Sequence, residues 1–290
     1  MSGYLEVSCD CPAEAAELVC FFITENLAQG VVTEDVGDRV AVRFYLPNDD
    51  TGQAAWAQFR QHLHATELLG VDEIEGKVTV RTIADADWLG DYEAQFGSVQ
   101  VDDIVIKPSW DESDYSDKLV ILMDPKMAFG TGRHETTKLC MRQVREDIRP
   151  GDRLLDFGTG SGVLSILAAK LGAAECLGID NDPLAVENST ENAELNDVGD
   201  KFSVRLGSIE QVDKLGYYDV VVSNLIYEGL LQFYDRLAAA AKPNSVIILS
   251  GILVSQEESF LGFLRRRGVE RATVARMNEW TCIRIAGGAR

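Results

Sequence analysis

The sequence predicts an α/β chain in two parts: a small ferredoxin-like α+β domain, then a Rossmann-like parallel sheet. Three observations carry this. From Leu119 onward, short β-branched runs alternate with helical stretches, which is the rhythm of a parallel sheet. A glycine-rich turn, Gly158-Thr159-Gly160-Ser161-Gly162, stands directly between such a run and a helix. Ahead of both, the order of elements reads βαββαβ, the split βαβ arrangement.

In the first part the expected strands are 4–8, 31–34, 40–46 and 78–83, with helices over 12–28 and 52–69. "VAVRFYL" has the β-branched and aromatic content of a strand, and the first helix has a proline near its start and Gly30 past its end. These define a domain over 1–84, without clustered catalytic residue types. Residues 85–120 mix acidic, aromatic and turn-forming residues around one expected strand, 101–107, and read as a connecting segment. The remainder, 121–290, is the sheet domain. Its strands are expected at 154–157, 176–180, 203–206, 220–223 and 246–250, with helices between them. A terminal antiparallel hairpin turns at Met277-Asn278-Glu279. A mostly parallel sheet closed by a hairpin is the outline of a Rossmann-like class I methyltransferase.

Composition narrows the class. The chain is 46% hydrophobic and 26% charged, enough for a full core. Nowhere does an apolar run reach the ~18 residues of a membrane helix, and the start lacks a secretory signal, so a cytoplasmic protein without membrane contact is expected. The six cysteines and three histidines make no zinc pattern, so no metal is expected and the thiols are read as reduced. Of the formal charge of −20, residues 1–125 carry 25 acidic and 7 basic side chains. Such a field opposes direct nucleic-acid binding and favours a basic protein partner; a merely solvated acidic surface is the alternative.

The turn after strand 154–157 selects a cofactor. Ligands of such sheets bind at the carboxyl ends of strands, where glycines let a backbone approach closely. A dinucleotide fingerprint needs a glycine three residues after Gly160, and Val163 stands there, which argues against an NAD oxidoreductase. Instead the pattern is D-x-G-x-G-x-G, with Asp156 two residues before Gly158. That pattern suits S-adenosylmethionine, whose methionine end carries an ammonium for Asp156, directly or through water, and a carboxylate for free amides. Asp180, ending the next strand, can accept from ribose hydroxyls. A tight turn without ligand is the competing reading.

"VVVSNLIYEGL" supplies an acceptor side. Methyl transfer from a sulfonium needs a neutral nitrogen aimed at the methyl group. Presenting a lysine of pKa near 10.4 as a neutral amine at pH 7 costs about 4–5 kcal/mol. Desolvation lowers that pKa, and an Asn carbonyl can hold the remaining N–H without adding charge, so Asn224 is the candidate catalytic, orienting residue. Capping of the following helix is its alternative role.

The tetrapeptide FGTG occurs twice, at 129–132 and 157–160. The first copy, in "MDPKMAFGTGRHETTKLCM", is no Walker A loop, because no Lys-Ser/Thr follows. It enters an expected helix over 135–148, where Thr136 and Thr137 can face a polar cofactor edge or simply cap the helix.

With these motifs the chain resembles the ribosomal protein L11 methyltransferases. The resemblance lies in "DPKMAFGTGRHETT", "DFGTGSGVLSILAAKLGA", "GIDNDPLAVENSTENAELN", "VVVSNLIYEGLL", "LSGIL", "KPSW" and the terminal "EW", and spans roughly residues 85–290. It implies an S-adenosylmethionine-dependent enzyme that methylates lysine side chains and the N-terminal amine of ribosomal protein L11, with the N-terminal domain recognising the substrate. It also implies cofactor contacts at Thr137, Gly158, Asp180 and Asn224, and a loop of Phe129, Gly130 and Thr131 over the methionine end; with Asp156 and Gly160 these complete the expected cofactor site. The sequence departs from the family at Arg133 and Glu135, where Thr and Pro are usual. Tyr227 and Glu228 are expected beside the acceptor channel, and Ser208 stands where an Asp often reaches the adenine. A class I methyltransferase acting on another protein lysine or a small amine stays open, as does an idle cofactor-binding module.

Overall fold

The computed structural model describes residues 3–287 except 13–14, 17–18, 21, 24–26, 28–30, 38, 66–77, 85–96 and 124–131. Phe129, Gly130 and Thr131 therefore lie outside the described residues, as do parts of the helix expected at 12–28. The chain divides into two compact units, Met1–Phe96 and Gly97–Arg290. The second unit thus includes residues 97–120, part of the expected connecting segment.

In the first unit β1 (Gly3–Pro12), β2 (Val32–Val36), β3 (Arg39–Pro47) and β4 (Val78–Ala84) form one antiparallel sheet in the order β2-β3-β1-β4. β1 runs parallel to β2 with β3 between them, and β3 runs parallel to β4 with β1 between them. That is two interleaved split crossovers. The described residues 15–16, 19–20 and 22–23 are helical, and α1 spans Asp50–Ala65. Asp49 starts α1 by accepting from the amides of Thr51 and Gly52 at 2.9 and 3.0 Å. Period-two alternation turns Leu5, Val7, Cys9 and Cys11 and Val42, Phe44 and Leu46 inward, against Ile23, Phe59 and Leu63.

The second unit opens with β5 (Val99–Val101) and β6 (Ile104–Lys107), an antiparallel hairpin where one strand over 101–107 was expected. The chain reverses at Asp102-Asp103, and Asp102 takes a φ of +55°, a left-handed position that Asp tolerates without a glycine to announce it. β7 (Leu119–Leu122) pairs parallel to β6. Next come α2 (Glu135–Asp147), β8 (Arg153–Phe157), α3 (Val163–Lys170), β9 (Glu175–Asp180), α4 (Pro183–Leu195), β10 (Phe202–Leu206), β11 (Tyr218–Asn224) and α5 (Tyr227–Ala240). β12 (Ala241–Leu253), α6 (Glu257–Arg265), β13 (Ala272–Met277) and β14 (Trp280–Ala286) close the unit.

Seven of these strands make one sheet in the order β10-β9-β8-β11-β12-β14-β13, parallel except for β14. Successive β8 side chains face opposite layers: Leu154 packs with α2 and α3, and Leu155 and Phe157 pack with α5 and α6. From β8 the chain winds outward through β9 and β10, then returns to lay β11 on the other flank. The strand order reverses between β8 and β11. Such a reversal leaves a crevice beyond the carboxyl ends of both strands.

An ion pair with a buried carboxylate fixes α2 on this sheet. Asp147, at the last turn of α2, accepts from Arg284 of β14 at 2.6 and 2.5 Å, and the carboxylate is 4% exposed. Among the described residues no helix is long and apolar enough to cross a membrane. Arg284 keeps partial access to solvent, so Asp147→Ala removes a two-point charge-assisted contact without stranding a buried charge and should lower the unfolding free energy in urea by about 1.5–3 kcal/mol. A loss below about 1 kcal/mol, the worth of an exposed pair, would contradict this anchoring.

Candidate active site

The strand-to-helix connection after β8 is organised by a carboxylate that never reaches solvent. Asp156 is 1% exposed, and its Oδ2 accepts from the Thr159 hydroxyl at 2.8 Å and the Ser165 hydroxyl at 2.9 Å. These two bonds tie the strand, the turn and the first turn of α3 together. The Asp156 Oδ1 atom is buried and takes no hydrogen bond among the described residues. Burial pushes this acid up to about 6, partly opposed by the two hydroxyls and assisted by the neighbouring Asp180 charge. Sequence reasoning missed the hydroxyl partners, because a Thr and a Ser carry no signal until the turn is folded.

Asp180, at the carboxyl end of β9, braces the same turn from outside. Its Oδ2 accepts from the Gly160 amide at 2.8 Å and its Oδ1 from the Asp182 amide at 3.1 Å. Each oxygen keeps a lone pair for a further donor. Gly162 precedes α3 without a side-chain cap; the Ser165 amide acts on the Asp156 carboxylate, which leaves the earlier amides of the first helical turn for a ligand's negative group.

Across the switch point, β11 ends at Asn224. The Ser223 hydroxyl donates to the Phe157 carbonyl at 2.9 Å, joining the two strand ends. Leu225 then enters the gap between them. A Cβ on Gly158, whose φ is +79°, would lie 2.6 Å from Leu225 Cδ2, and a Cβ on Gly251, whose φ is +93°, would lie 2.1 Å from the Leu225 carbonyl oxygen. At Gly251 the obstacle is backbone and no side chain fits; at Gly158 the Leu225 methyl could shift, and the left-handed φ is what disfavours a side chain. Gly251, in the "LSGIL" stretch, was not singled out individually from sequence; its signal was a glycine interrupting an apolar strand.

Asn224 is turned toward α2. Its Nδ2 donates a long hydrogen bond, 3.4 Å, to Oγ1 of the buried Thr137, and its Oδ1 accepts from no other described residue. It does not cap α5, whose N-cap is Ile226 without a side-chain bond. Thr136 and Thr137 are not the cap of α2 either: His134 is, its Nδ1 accepting from the Thr136 amide at 3.3 Å and meeting the Thr136 hydroxyl at 2.8 Å. The two threonines lie inside the first turn.

The chain's departures are tied into its own structure. Arg133 donates to the Gly97 carbonyl at 2.9 Å, and Glu135 accepts from Asn278 at 2.9 Å. The Tyr227 hydroxyl meets Ser259 at 2.9 Å and its ring packs edge-on against Phe260 of α6. Glu228 is exposed. Beyond β10, the Ser208 amide donates to Glu210 at 2.8 Å, a bond that lowers the Glu210 pKa. The described residues contain no group of acidic, histidine or cysteine side chains able to hold a metal.

The crevice therefore offers a buried acid with one free oxygen, a second acid at the next strand end, uncapped helix amides and an oriented amide opposite. This inventory fits the ammonium, ribose and carboxylate of S-adenosylmethionine. Fold and turn together define a Rossmann-like, S-adenosylmethionine-dependent methyltransferase. The model of the family described as ribosomal protein L11 methyltransferase (PrmA) matches residues 3–287. Curated relatives named ribosomal protein L11 methyltransferase include one from Bacillus cytotoxicus, 33% identical over 96% of this chain and 97% of its own length. One from Bacillus cereus has the same identity and coverage. Among solved structures, the ribosomal protein L11 methylase of Lactobacillus delbrueckii subsp. bulgaricus superposes with a TM-score of 0.61 at 28% identity, covering 66% of this chain and 98% of that one. The chain belongs to the ribosomal protein L11 methyltransferase family.

The buried acid has a measurable signature. With a folded value of about 6 against an ordinary 3.8, the native state binds more protons than the unfolded state between those values. The stability this group contributes is present below about pH 4 and is lost as the pH rises through 6. Relative to the parent, Asp156→Asn should therefore gain about 3 kcal/mol of unfolding free energy between pH 4 and pH 7, as two pKa units imply. A difference independent of pH would contradict the assignment.

Proposed function

We propose that this chain N-methylates ribosomal protein L11, at lysine side chains and the N-terminal amine, acting in the cytoplasm. The relatives carry that substrate in their names, and family membership is the first support for it. The observation that carries the chemistry is the pairing of Asn224 with Thr137 across the switch point from Gly158 and Asp180. S-adenosylmethionine supplies a methyl group on a positively charged sulfur. This chain holds it: Asp180 takes the ribose hydroxyls, Asp156 Oδ1 serves the ammonium directly or through one water, the amides opening α3 take the carboxylate, and the Gly158–Gly160 backbone permits close approach.

Asn224 orients the acceptor. With Nδ2 committed to Thr137, its Oδ1 is left to accept an N–H of a neutral amine, so that the nitrogen lone pair points at the methyl group. An amide in this place adds no charge that would hold the amine protonated, whereas a carboxylate would. The nitrogen's surplus proton leaves to solvent. The first unit is the docking part. It carries much of the acidic excess of residues 1–125, the complement of a basic protein.

Asp180→Ala should weaken S-adenosylmethionine binding by about 1.5–3 kcal/mol in calorimetry, the range for hydrogen bonds to a charged group; unchanged affinity would remove the ribose role. Asn224→Ala should lower turnover on L11 more than it raises KM, and undiminished turnover would rule out orientation by this amide. Mass spectrometry of purified L11 after incubation with enzyme and cofactor should show added methyl groups on lysines and the N-terminal amine. L11 that stays unmodified would refute the substrate.

A further inference from the structure

The turn of the terminal hairpin touches the acceptor side of the site at three successive residues. Asn278, at a φ of +52°, donates from Nδ2 to Oε1 of Glu135, the first residue of α2, at 2.9 Å. The Glu279 carbonyl accepts from the amide of Val254, the residue after β12, at 2.8 Å. The Trp280 ring meets the edge of His134, the N-cap of α2, with ring centroids 4.9 Å apart. All three contacts bear on segments that flank Asn224: the start of α2, and the end of the strand paired with β11.

Two residues beyond Glu135 lies Thr137, whose hydroxyl holds the Asn224 amide. Rotation or fraying of the first turn of α2 would move that hydroxyl away from Asn224, and helix ends fray readily unless tied down. The tie is an exposed hydrogen bond, so its contribution to global stability is small. Its leverage is geometric.

We propose that Asn278 and Glu135 are positioning residues for methyl transfer: the hairpin turn clamps the first turn of α2, which sets Thr137 and, through it, the orientation of Asn224. This rests on the assignment of Asn224 as the amine-orienting residue. The clamp is polar and directional, one amide donor facing one carboxylate acceptor. It can therefore be broken and remade by exchanging which side donates.

The test uses the full chain with S-adenosylmethionine and purified L11. Asn278→Asp keeps the left-handed turn tolerable but sets two acceptors against each other; adding Glu135→Gln restores a donor and acceptor with the roles exchanged. The single variant should lose about tenfold in kcat with KM for L11 and cofactor affinity changed by less than about twofold, because misplacement of an orienting group is expressed in turnover. The double variant should recover most of that loss. In parallel, the side-chain amide signals of Asn224, assigned by their disappearance in Asn224→Asp, should shift in Asn278→Asp and return in the double variant. A single variant within about twofold of the parent in kcat, or a double variant no better than the single, overturns the clamp. If the parent itself leaves L11 unmodified, the substrate reading fails, and the Asn224 signals still decide the clamp.

Discussion

A carboxylate without solvent access, Asp156, sits where β8 gives way to α3, and the geometry of the site follows from satisfying it. Its Oδ2 is shared between Thr159 in the turn and Ser165 in the helix, so the strand end, the glycine turn and the helix start cannot move independently. Asp180 holds the turn from the other side through the Gly160 amide. The free Oδ1 is the unresolved half of the arrangement. A buried acceptor without a donor is costly, and under the proposed binding mode the cofactor's ammonium would offset that cost.

The second constraint is the reversal of strand order between β8 and β11. Neighbouring strands that lead away in opposite directions leave their carboxyl ends uncovered by crossover helices. Leu225 fills the base of that opening because Gly158 and Gly251 carry no side chain. Above it, residues that are far apart in sequence converge: Asp180 from one flank, Asn224 from the other, and Thr137 from the helix laid across β11 to β14. The Asp147–Arg284 pair holds the far end of that helix to the antiparallel strand. The terminal hairpin thus bonds to both ends of α2, Asn278 to Glu135 and Arg284 to Asp147.

Much of this was legible in the residues. The strands β8 to β11 could be read from β-branched runs to within a few residues of their ends, and the turn after β8 from its glycine spacing; β7 was not among the expected strands, and β12 spans Ala241–Leu253 where 246–250 was expected. What failed did so for physical reasons. The hairpin at 99–107 hides its turn in Asp102-Asp103, where no glycine marks the reversal. The cap of α2 is a histidine, a residue seldom ranked as a cap, and the threonines that looked like caps serve the interior of the turn. The contacts of Tyr227 with Ser259, 32 residues on, and with Phe260 were not foreseen, and its place beside the acceptor channel stays an expectation. Contacts of that range depend on tertiary packing and leave no local pattern. The loop at Phe129, Gly130 and Thr131 lies outside the described residues and remains an expectation of the family resemblance.

The claim on which the rest depends is that one crevice, between the ends of β8 and β11, holds the cofactor with its reacting end toward Asn224. A crystal structure of the full chain with S-adenosylhomocysteine tests this most directly. The ribose hydroxyls should lie within hydrogen-bond distance of the Asp180 carboxylate, about 2.5–3.2 Å, with the sulfur directed to the Asn224 side. A ligand seated elsewhere on the sheet, or one whose ribose leaves Asp180 untouched, would contradict it.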